Sequence, residues 1–369
     1  MTTLADLPLR EDLRGAAPYG APQLDVPVQL NTNENSYDVP PEVARAVVDA
    51  VSAVAGRLNR YPDREFTALR TDLAAYLSRS SAAGVRPDEV WAGNGSNEVL
   101  QHLLQAFGGP GRSALGFTPS YSMHPIISGG TGTAWVDGAR GSRFDLRADD
   151  VAEQVRRVAP DVVFLCSPNN PTGTALPLDV VEAAYAAARG IVVVDEAYAE
   201  FARAGTPSAL SLLPGRPRLV VTRTMSKAFA LAGARVGYLA ADPALCSALR
   251  LVRLPYHLSA TTQAVACAAL AHTDRLLATV DAIRQQRDRI VAELPALGLD
   301  PVPSDANFVL FGGMRDEKAL WQRLLERGVL VRDVGIAGHL RVTAGTPQET
   351  TAFLDALRAA LVDPTSVQP

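Results

Sequence analysis

The chain has 369 residues, of which 47% are hydrophobic, and its 35 basic and 39 acidic side chains give a formal net charge of −4. This length can bury a large core and form two domains, while the lack of a basic stripe and of a long apolar run argues against nucleic-acid and membrane partners. The three cysteines and five histidines show neither a disulfide framework nor metal-ligand spacing, so we expect no metal site.

The start of the chain, Met1–Asp6, lacks the basic and apolar regions of a secretory signal, and we expect a cytoplasmic protein. Further along, short apolar runs alternate with helix-like stretches, near 113–117, 161–165, 191–194 and 219–222. This alternation predicts an α/β fold with a mostly parallel sheet and helices on both faces.

We expect the large domain to span 55–265. Residues 1–54 would form an N-terminal arm and part of a smaller α/β domain, which 266–369 would complete. The segment 263–297 reads as one long helix that links the two domains. The final elements are two strands and a helix, at 308–311, 328–331 and 347–361.

The first candidate binding segment is Gly95-Ser96-Asn97, which precedes an apolar helical pattern that begins at Val99. Free backbone N–H groups and the dipole at a helix N-terminus favour a phosphate, which makes this segment a candidate phosphate cradle. Gly, Ser and Asn are equally the residues of an ordinary turn and helix cap, so the segment alone does not decide between the two.

Two further segments follow buried strands. Asn170 lies in a loop rich in Pro, Asn and Gly directly after the run 161–165, where a plain turn is the alternative. Asp195 ends the β-branched run 191–194, with Tyr198 three positions later, and a helix cap is the alternative for this carboxylate. A carboxylate at such a strand end can pair with a buried cation.

Lys227 lies in the segment Thr224-Met225-Ser226-Lys227-Ala228-Phe229, which follows the strand-like run 219–222, and Arg235 comes eight residues after the lysine. Parallel sheets place ligand-binding residues at the carboxyl ends of their strands, and lysine is the side chain that forms Schiff bases with carbonyl cofactors. A solvated surface lysine is the alternative for a lone Lys.

Together these segments describe one site for pyridoxal 5′-phosphate. The phosphate cradle would hold one end of the cofactor, and Lys227 would bind its carbonyl carbon. A buried Asp195 would keep the ring nitrogen protonated, and Asn170 and Tyr198 would bond to the ring hydroxyl.

The motifs resemble those of the fold-type I, aspartate-aminotransferase-like enzymes. The matching stretches are Asn-Pro-Thr-Gly at 170–173, Asp-Glu-Ala-Tyr at 195–198, and Ser-Lys-Ala-Phe at 226–229 followed by Arg235. Within this group the chain is most similar to the actinobacterial histidinol-phosphate aminotransferases, from Leu-Asn-Thr-Asn-Glu-Asn at 30–35 to Leu-Arg-Val-Thr-Ala-Gly-Thr at 340–346. The resemblance implies the fold-type I transferase fold, with a small domain built from both ends of the chain.

The resemblance also implies residue roles. Lys227 would tether the cofactor and shuttle the substrate proton, Tyr121 would stack on the ring, and Asp195 would pair with its nitrogen. The phosphate would be bound by Gly95, Ser96, Asn97, Thr224, Ser226 and Arg235. Tyr61 would reach the cofactor phosphate of a second subunit, which predicts a homodimer with shared active sites.

For the substrate, the resemblance implies that Arg341 and Arg332 bind the phosphate and carboxylate anions. A surface ion pair with Asp333 is the alternative for Arg332. The other expected substrate contacts are Tyr19, Asn33 and Tyr256.

The expected activity is transfer of the amino group of histidinol phosphate to 2-oxoglutarate, with small molecules as the partners. An aromatic amino-acid aminotransferase would use the same residues, and a decarboxylase of an amino-acid phosphate would differ only in which bond is aligned with the ring. A cofactor-binding regulator without catalysis would carry a DNA-binding module, for which the sequence leaves no room before the arm.

Overall fold

The structure is a computed structural model and describes residues 2–15, 17–81 and 83–362. Its strands are β1 Val28–Gln29, β2 Val90–Asn94, β3 Ser113–Thr118, β4 Ala134–Ala139, β5 Val162–Cys166, β6 Ile191–Asp195, β7 Leu219–Thr224, β8 Val236–Ala241, β9 Asp300–Pro301, β10 Phe308–Gly312, β11 Val329–Leu330, β12 Arg332–Asp333 and β13 Leu340–Thr343.

Twelve α-helices are found among the described residues, together with several short 3-10 turns. They are α1 Pro41–Ala55, α2 Thr67–Ser81, α3 Ser96–Phe107, α4 Met123–Gly130, α5 Ala148–Val158, α6 Leu178–Ala187, α7 Pro243–Leu249, α8 Ala260–Ala271, α9 Thr273–Leu277, α10 Val280–Glu293, α11 Glu317–Glu326 and α12 Pro347–Leu361. No described helix is long and apolar enough to cross a bilayer.

A seven-stranded sheet forms the centre of the large domain, in the order β2-β8-β7-β6-β5-β3-β4. The neighbours from β7 to β4 run parallel, whereas β8 is antiparallel to both β2 and β7. The inner strands β5, β6 and β7 are buried along their whole length, as expected for a sheet covered on both faces. The predicted α/β class and mostly parallel sheet are therefore confirmed.

The carboxyl ends of the parallel strands meet at one edge. The register pairs Cys166 with Asp195 and Asp195 with Thr222, so the loops that follow β5, β6 and β7 begin side by side. These are the loops that carry Asn170, Tyr198 and Lys227. The fold thus brings together three segments that are far apart in the sequence.

The smaller domain contains elements from near both ends of the chain. Strands β12, β13, β10 and β9 form an antiparallel sheet, and β1 pairs in parallel with β11 at Val28–Val329. We propose the expected division into 1–54, 55–265 and 266–369, of which residues 1, 16, 82 and 363–369 lie outside the described ones.

The predicted long helix at 263–297 is wrong, because the structure divides this segment into α8, α9, α10 and a closing turn. Two threonines lie at the breaks and hydrogen-bond back to carbonyls three residues earlier: the Thr273 hydroxyl donates to Leu270 at 2.7 Å and that of Thr279 to Leu276 at 3.4 Å. Such local bonds compete with the helical pattern.

Candidate active site

Lys227 lies in the loop directly after β7. Its side chain is half-buried, and the ammonium Nζ donates to the carbonyl of Thr32 at 2.9 Å. Burial lowers the pKa of this amine to about 8, and the nearby positive charges of Arg341 and Arg235 act in the same direction. A lysine with this pKa can lose its proton close to neutral pH, as a nucleophile or base must.

Asp195 ends β6, and its side chain is almost completely buried. One carboxylate oxygen lies 3.1 Å from Nε2 of His124, and the other accepts from the backbone N–H of Ala197 at 3.2 Å. The His124 ring is itself buried and stacks on Phe164, with ring centroids 4.6 Å apart. His124 is one of the five histidines that show no metal-ligand spacing, and no local pattern links it to a carboxylate 71 positions away.

The segment 95–97 forms the N-terminus of α3. Gly95 has φ +83°, and a Cβ built at this position would lie 2.5 Å from a guanidinium nitrogen of Arg235. Only glycine therefore allows the arginine to approach the helix end. The Asn97 side chain accepts from the hydroxyl of Tyr121 at 3.2 Å, which ties the ring-stacking candidate to the same helix end.

Hydroxyl groups complete this end of the site. The Thr224 hydroxyl donates to Oγ of Ser226 at 3.0 Å, and the Arg235 guanidinium donates to the same Ser226 oxygen at 3.4 Å. Arg235 has φ +55°, a left-handed backbone conformation that turns the chain between the loop of Lys227 and β8. A positive charge, hydroxyls and a helix N-terminus converge here, and this combination suits a phosphate.

Tyr198 is buried beside these groups. Its hydroxyl oxygen accepts from the side-chain amides of Asn33 at 3.0 Å and Asn170 at 3.4 Å. The Asn170 oxygen in turn accepts from Nη1 of Arg341 at 2.5 Å. The ring-hydroxyl candidates and the candidate substrate arginine, Arg341, therefore form one connected network.

A cavity of about 100 Å³ lies between these groups. It is lined by Ser96, Asn97, Tyr121, Cys166, Asn170, Asp195, Ala197, Tyr198, Thr224, Ser226, Lys227 and Arg235. Two of these, Cys166 and Ala197, were missed by the sequence analysis. Both adjoin predicted segments, so the signal was their position at a strand end rather than their chemistry.

A second cavity of about 270 Å³ adjoins the first, and Asn170 lines both. Tyr19, Arg332 and Arg341 all line it, and the Arg332 guanidinium lies 5.9 Å from the centre of the Tyr19 ring. Arg341 is only 7% exposed, and burial lowers the pKa of its guanidinium to about 10, with the charge of Arg332 acting in the same direction. Two arginines at one cavity make it a candidate anion site.

Asn33, an expected substrate contact, lies elsewhere. Its side chain is 1% exposed, and its amide is held between Tyr198 and the hydroxyl of Thr343. We therefore place Asn33 behind Tyr198, with its polar atoms engaged inside the protein, and not on the wall of the anion cavity.

Tyr61 and Tyr256 lie together on the surface. Their rings stack with centroids 4.4 Å apart, and Tyr61 is 80% exposed. Neither residue lines the two cavities described above. Within one chain, the structure therefore does not bring this pair to Lys227 or Arg341, and their predicted roles depend on a second subunit.

Residues 26–357 match the family of class I and II aminotransferases. The chain belongs to this family. Among curated relatives, the histidinol-phosphate aminotransferase of Paenarthrobacter aurescens is 63% identical over 96% of this chain and 95% of its own length. That of Frankia casuarinae is 64% identical over 96% of this chain and 90% of its own length.

Solved structures of aminotransferases share the fold of this chain. A histidinol-phosphate aminotransferase from Sinorhizobium meliloti, in complex with pyridoxal-5′-phosphate, superposes with a TM-score of 0.86 at 25% identity, covering 98% of this chain and 100% of that one. An aspartate aminotransferase mutant from Thermus thermophilus gives 0.80 at 26% identity, covering 96% and 99% of the two chains. The fold-type I prediction is confirmed.

Behind the aminotransferase site lies a buried charge cluster, which consists of Arg223, Glu196 and Glu200. Arg223 contacts Glu196 at 2.8 Å and Glu200 at 3.3 Å, and the Tyr76 hydroxyl donates to Glu200 at 2.9 Å. A cavity of about 710 Å³ borders the cluster, but the charges on this side of the cavity are already paired with one another. The cluster holds Glu196 in place, in the loop between Asp195 and Tyr198.

Proposed function

We propose that the protein transfers the amino group of L-histidinol phosphate to 2-oxoglutarate, which gives imidazole acetol phosphate and glutamate in histidine biosynthesis. The observation that carries this proposal is the pair Arg332 and Arg341 at an anion cavity that shares Asn170 with the cavity of Lys227. Curated relatives at 63% and 64% identity, named histidinol-phosphate aminotransferase, support the same assignment. The aromatic alternative is not favoured.

Pyridoxal 5′-phosphate is the cofactor. When bound, it supplies a carbonyl group for the substrate's amine and a ring that withdraws electrons from the carbon that loses its proton. The residues present fit this group: a buried carboxylate at Asp195, an amine at Lys227, and an anion cradle where only Gly95 leaves room for Arg235.

Lys227 is the group that we expect to move the substrate proton. With a pKa lowered to about 8 by burial, its amine is partly neutral at physiological pH and can accept a proton, and its protonated form can return one. The Thr32 carbonyl, 2.9 Å from Nζ, orients the side chain.

Asp195 and Tyr198 would control charge at the ring. Asp195 is buried and keeps its carboxylate next to His124, where a positively charged ring nitrogen would be favoured. Burial raises the pKa of Tyr198 to about 12, although Arg341 and Asn33 lower it, so the phenol stays protonated and can donate.

Arg341 and Arg332 would bind the phosphate and carboxylate anions of the two half-reactions. Guanidinium groups pair with phosphate and carboxylate through parallel N–H donors, so one cavity can take histidinol phosphate and then 2-oxoglutarate. Tyr19 would close the cavity on the side of Arg332.

The test is a comparison of kcat/KM for histidinol phosphate, histidinol, phenylalanine and tyrosine, with 2-oxoglutarate as acceptor. We expect a strong preference for histidinol phosphate over histidinol, and the Arg332→Gln variant should reduce this preference by about tenfold or more, as expected for loss of a charge-assisted bond. A higher kcat/KM for phenylalanine or tyrosine would contradict the substrate while leaving the cofactor chemistry in place.

We further propose that the protein works as a cytoplasmic homodimer with shared active sites. The exposed Tyr61–Tyr256 stack and the neighbouring Leu251 and Leu254, which are 86% and 76% exposed, support a second copy at this face. The three free cysteines agree with a reducing compartment.

A hybrid experiment tests the shared site. Lys227→Ala and Tyr61→Ala chains are each expected to have low activity alone, but a mixed dimer would contain one site with neither defect. Subunit exchange between the two variants should therefore restore activity. If no activity returns although mixed dimers are present, Tyr61 does not act across the interface.

A further inference from the structure

The amide of Asn33 is fixed from both sides. The Thr343 hydroxyl donates to the Asn33 side-chain oxygen at 3.2 Å, and the same hydroxyl oxygen accepts from the Asn33 backbone N–H at 3.0 Å. Because Thr343 uses its only proton on the amide oxygen, the NH₂ group of Asn33 must face the other way. It donates to the hydroxyl oxygen of Tyr198 at 3.0 Å.

The amide of Asn170 is fixed in a similar way. Its oxygen accepts from Arg341 at 2.5 Å, an arginine that can only donate, so its NH₂ group faces Tyr198 at 3.4 Å. The Tyr198 oxygen therefore has two N–H donors, and both of its acceptor positions are used. Its own proton is left without a partner among these groups and must point away from both amides.

The remaining direction leads into the cavity of Lys227. Tyr198 lines this cavity, and the edge-to-face contact with Phe308, with ring centroids 5.0 Å apart, fixes the plane of the phenol. Two amide donors therefore set where the hydroxyl hydrogen of Tyr198 points.

We propose that Asn33 is a positioning residue, which turns the hydroxyl proton of Tyr198 toward the bound cofactor and makes this orientation depend on the docking of the N-terminal arm against β13. The inference rests on the proposed cofactor site, and it assigns to Asn33 an action through Tyr198 in place of a direct contact with substrate.

The arm, residues 17–40, is docked at this point by both domains. The backbone carbonyl of Asn33 accepts from the Asn307 side chain at 3.1 Å, next to β10. On the other side, the amide of Asn35 donates to the carbonyl of Ala228 at 3.3 Å, next to Lys227. Displacement of the arm would remove one of the two donors that hold Tyr198.

The backbone of Asn33 guides the choice of variant. Its φ of +56° lies in the left-handed region, which Asn and Asp adopt more readily than other residues with a Cβ. Asn33→Asp therefore preserves the shape and the oxygen that Thr343 binds. It replaces the N–H donor by an acceptor, so the Tyr198 proton should turn to the new carboxylate.

The readout is the pH midpoint at which the absorbance of the cofactor-loaded enzyme changes. A hydrogen bond from Tyr198 to the cofactor's ring oxygen stabilises the charged form of that oxygen and lowers the midpoint. We expect Asn33→Asp to raise the midpoint by about one to two pH units, the effect of one hydrogen bond to a charged acceptor. Tyr198→Phe should give a rise of similar size.

The double variant separates positioning from charge. In the Tyr198→Phe background, Asn33→Asp should cause no further rise, because the proton that it redirects is missing. An equal rise with and without the Tyr198 hydroxyl would mean that the new carboxylate acts through its charge alone, and would overturn the inference. An unchanged midpoint in the single Asn33→Asp variant would also overturn it.

A second variant leaves Asn33 in place. Thr343→Val removes the hydroxyl that orients the amide, so the midpoint should rise by a smaller amount in the same direction, and no rise would refute the link to β13. If Tyr198→Phe itself leaves the midpoint unchanged, the proposed role of Tyr198 fails and the inference fails with it. A shift with Tyr198→Phe but none with Asn33→Asp refutes the inference alone.

Discussion

Loss of the buried ion pair between Arg223 and Glu196 is expected to lower the free energy of unfolding far more than loss of an exposed ion pair with the same N–O distance. In the variant Arg223→Met, the carboxylates of Glu196 and Glu200, which are 4% and 6% exposed, lose their cation. Removing one partner of a buried ion pair typically costs about 3–5 kcal/mol, because the remaining charge stays out of water without compensation.

This cost can be converted into a melting temperature. An unfolding entropy of about 2.1 cal/mol/K per residue gives roughly 0.8 kcal/mol/K for 369 residues, so Tm should fall by about 4–6 °C. The assay is calorimetry of the cofactor-loaded enzyme. Activity should fall as well, because Glu196 lies in the loop between Asp195 and Tyr198.

Arg216→Met is the matched control. Arg216 and Glu182 are also 2.8 Å apart, but their side chains are 30% and 48% exposed. Such a pair contributes about 0–1 kcal/mol, so this variant should lower Tm by about 1 °C or less. Equal losses in the two variants would refute the argument from burial, and so would a loss below about 1 °C for Arg223→Met.

Three further predictions concern the cofactor site. Gly95→Ala should weaken cofactor binding by about tenfold or more, because a φ of +83° is strained for alanine and the new Cβ displaces Arg235. The control is Gly129→Ala, which has open space around it and should leave the affinity measured by cofactor titration unchanged. In the cofactor-free protein, Lys227 should capture added cofactor at a rate that rises with pH through a midpoint near 8, because only the neutral amine is nucleophilic. A midpoint at the ordinary lysine pKa of about 10.4 would contradict the argument that burial lowers this pKa. Asp195→Asn should retain the cofactor but lower kcat by about 100-fold or more in a steady-state assay, and an unchanged kcat would remove the electrostatic role of the carboxylate.

The sequence was informative where function follows directly from a local pattern. Asp195 and Lys227 each come directly after a run of buried β-branched or apolar residues, and parallel strands bring their carboxyl ends to one edge. The same reasoning placed the last helix at 347–361, where the structure has α12. These predictions needed only periodicity and the geometry of a parallel sheet.

Contacts between distant segments could not be predicted in this way. The bond between Asn33 and Thr343 joins residues 310 positions apart, and no repeat or spacing signals it. The break between α9 and α10 also involves a contact with a distant segment, because the hydroxyl of Thr279 accepts from the side-chain amide of Asn35 at 3.1 Å. Strand β2 is not among the predicted apolar runs, and its ladder partner, β8, follows about 140 residues later.

The parallel pairing of β1 with β11 has a consequence for synthesis of the chain. Val28 is added to the chain about 300 residues before its partner Val329, which at about 5–20 residues per second is roughly 15–60 s. Throughout this interval the arm has no strand to join, and neither Thr343 nor Arg341 is yet available to it. The large domain can assemble its sheet during translation, but the residues of the candidate site reach their final arrangement only after almost the whole polypeptide has been made.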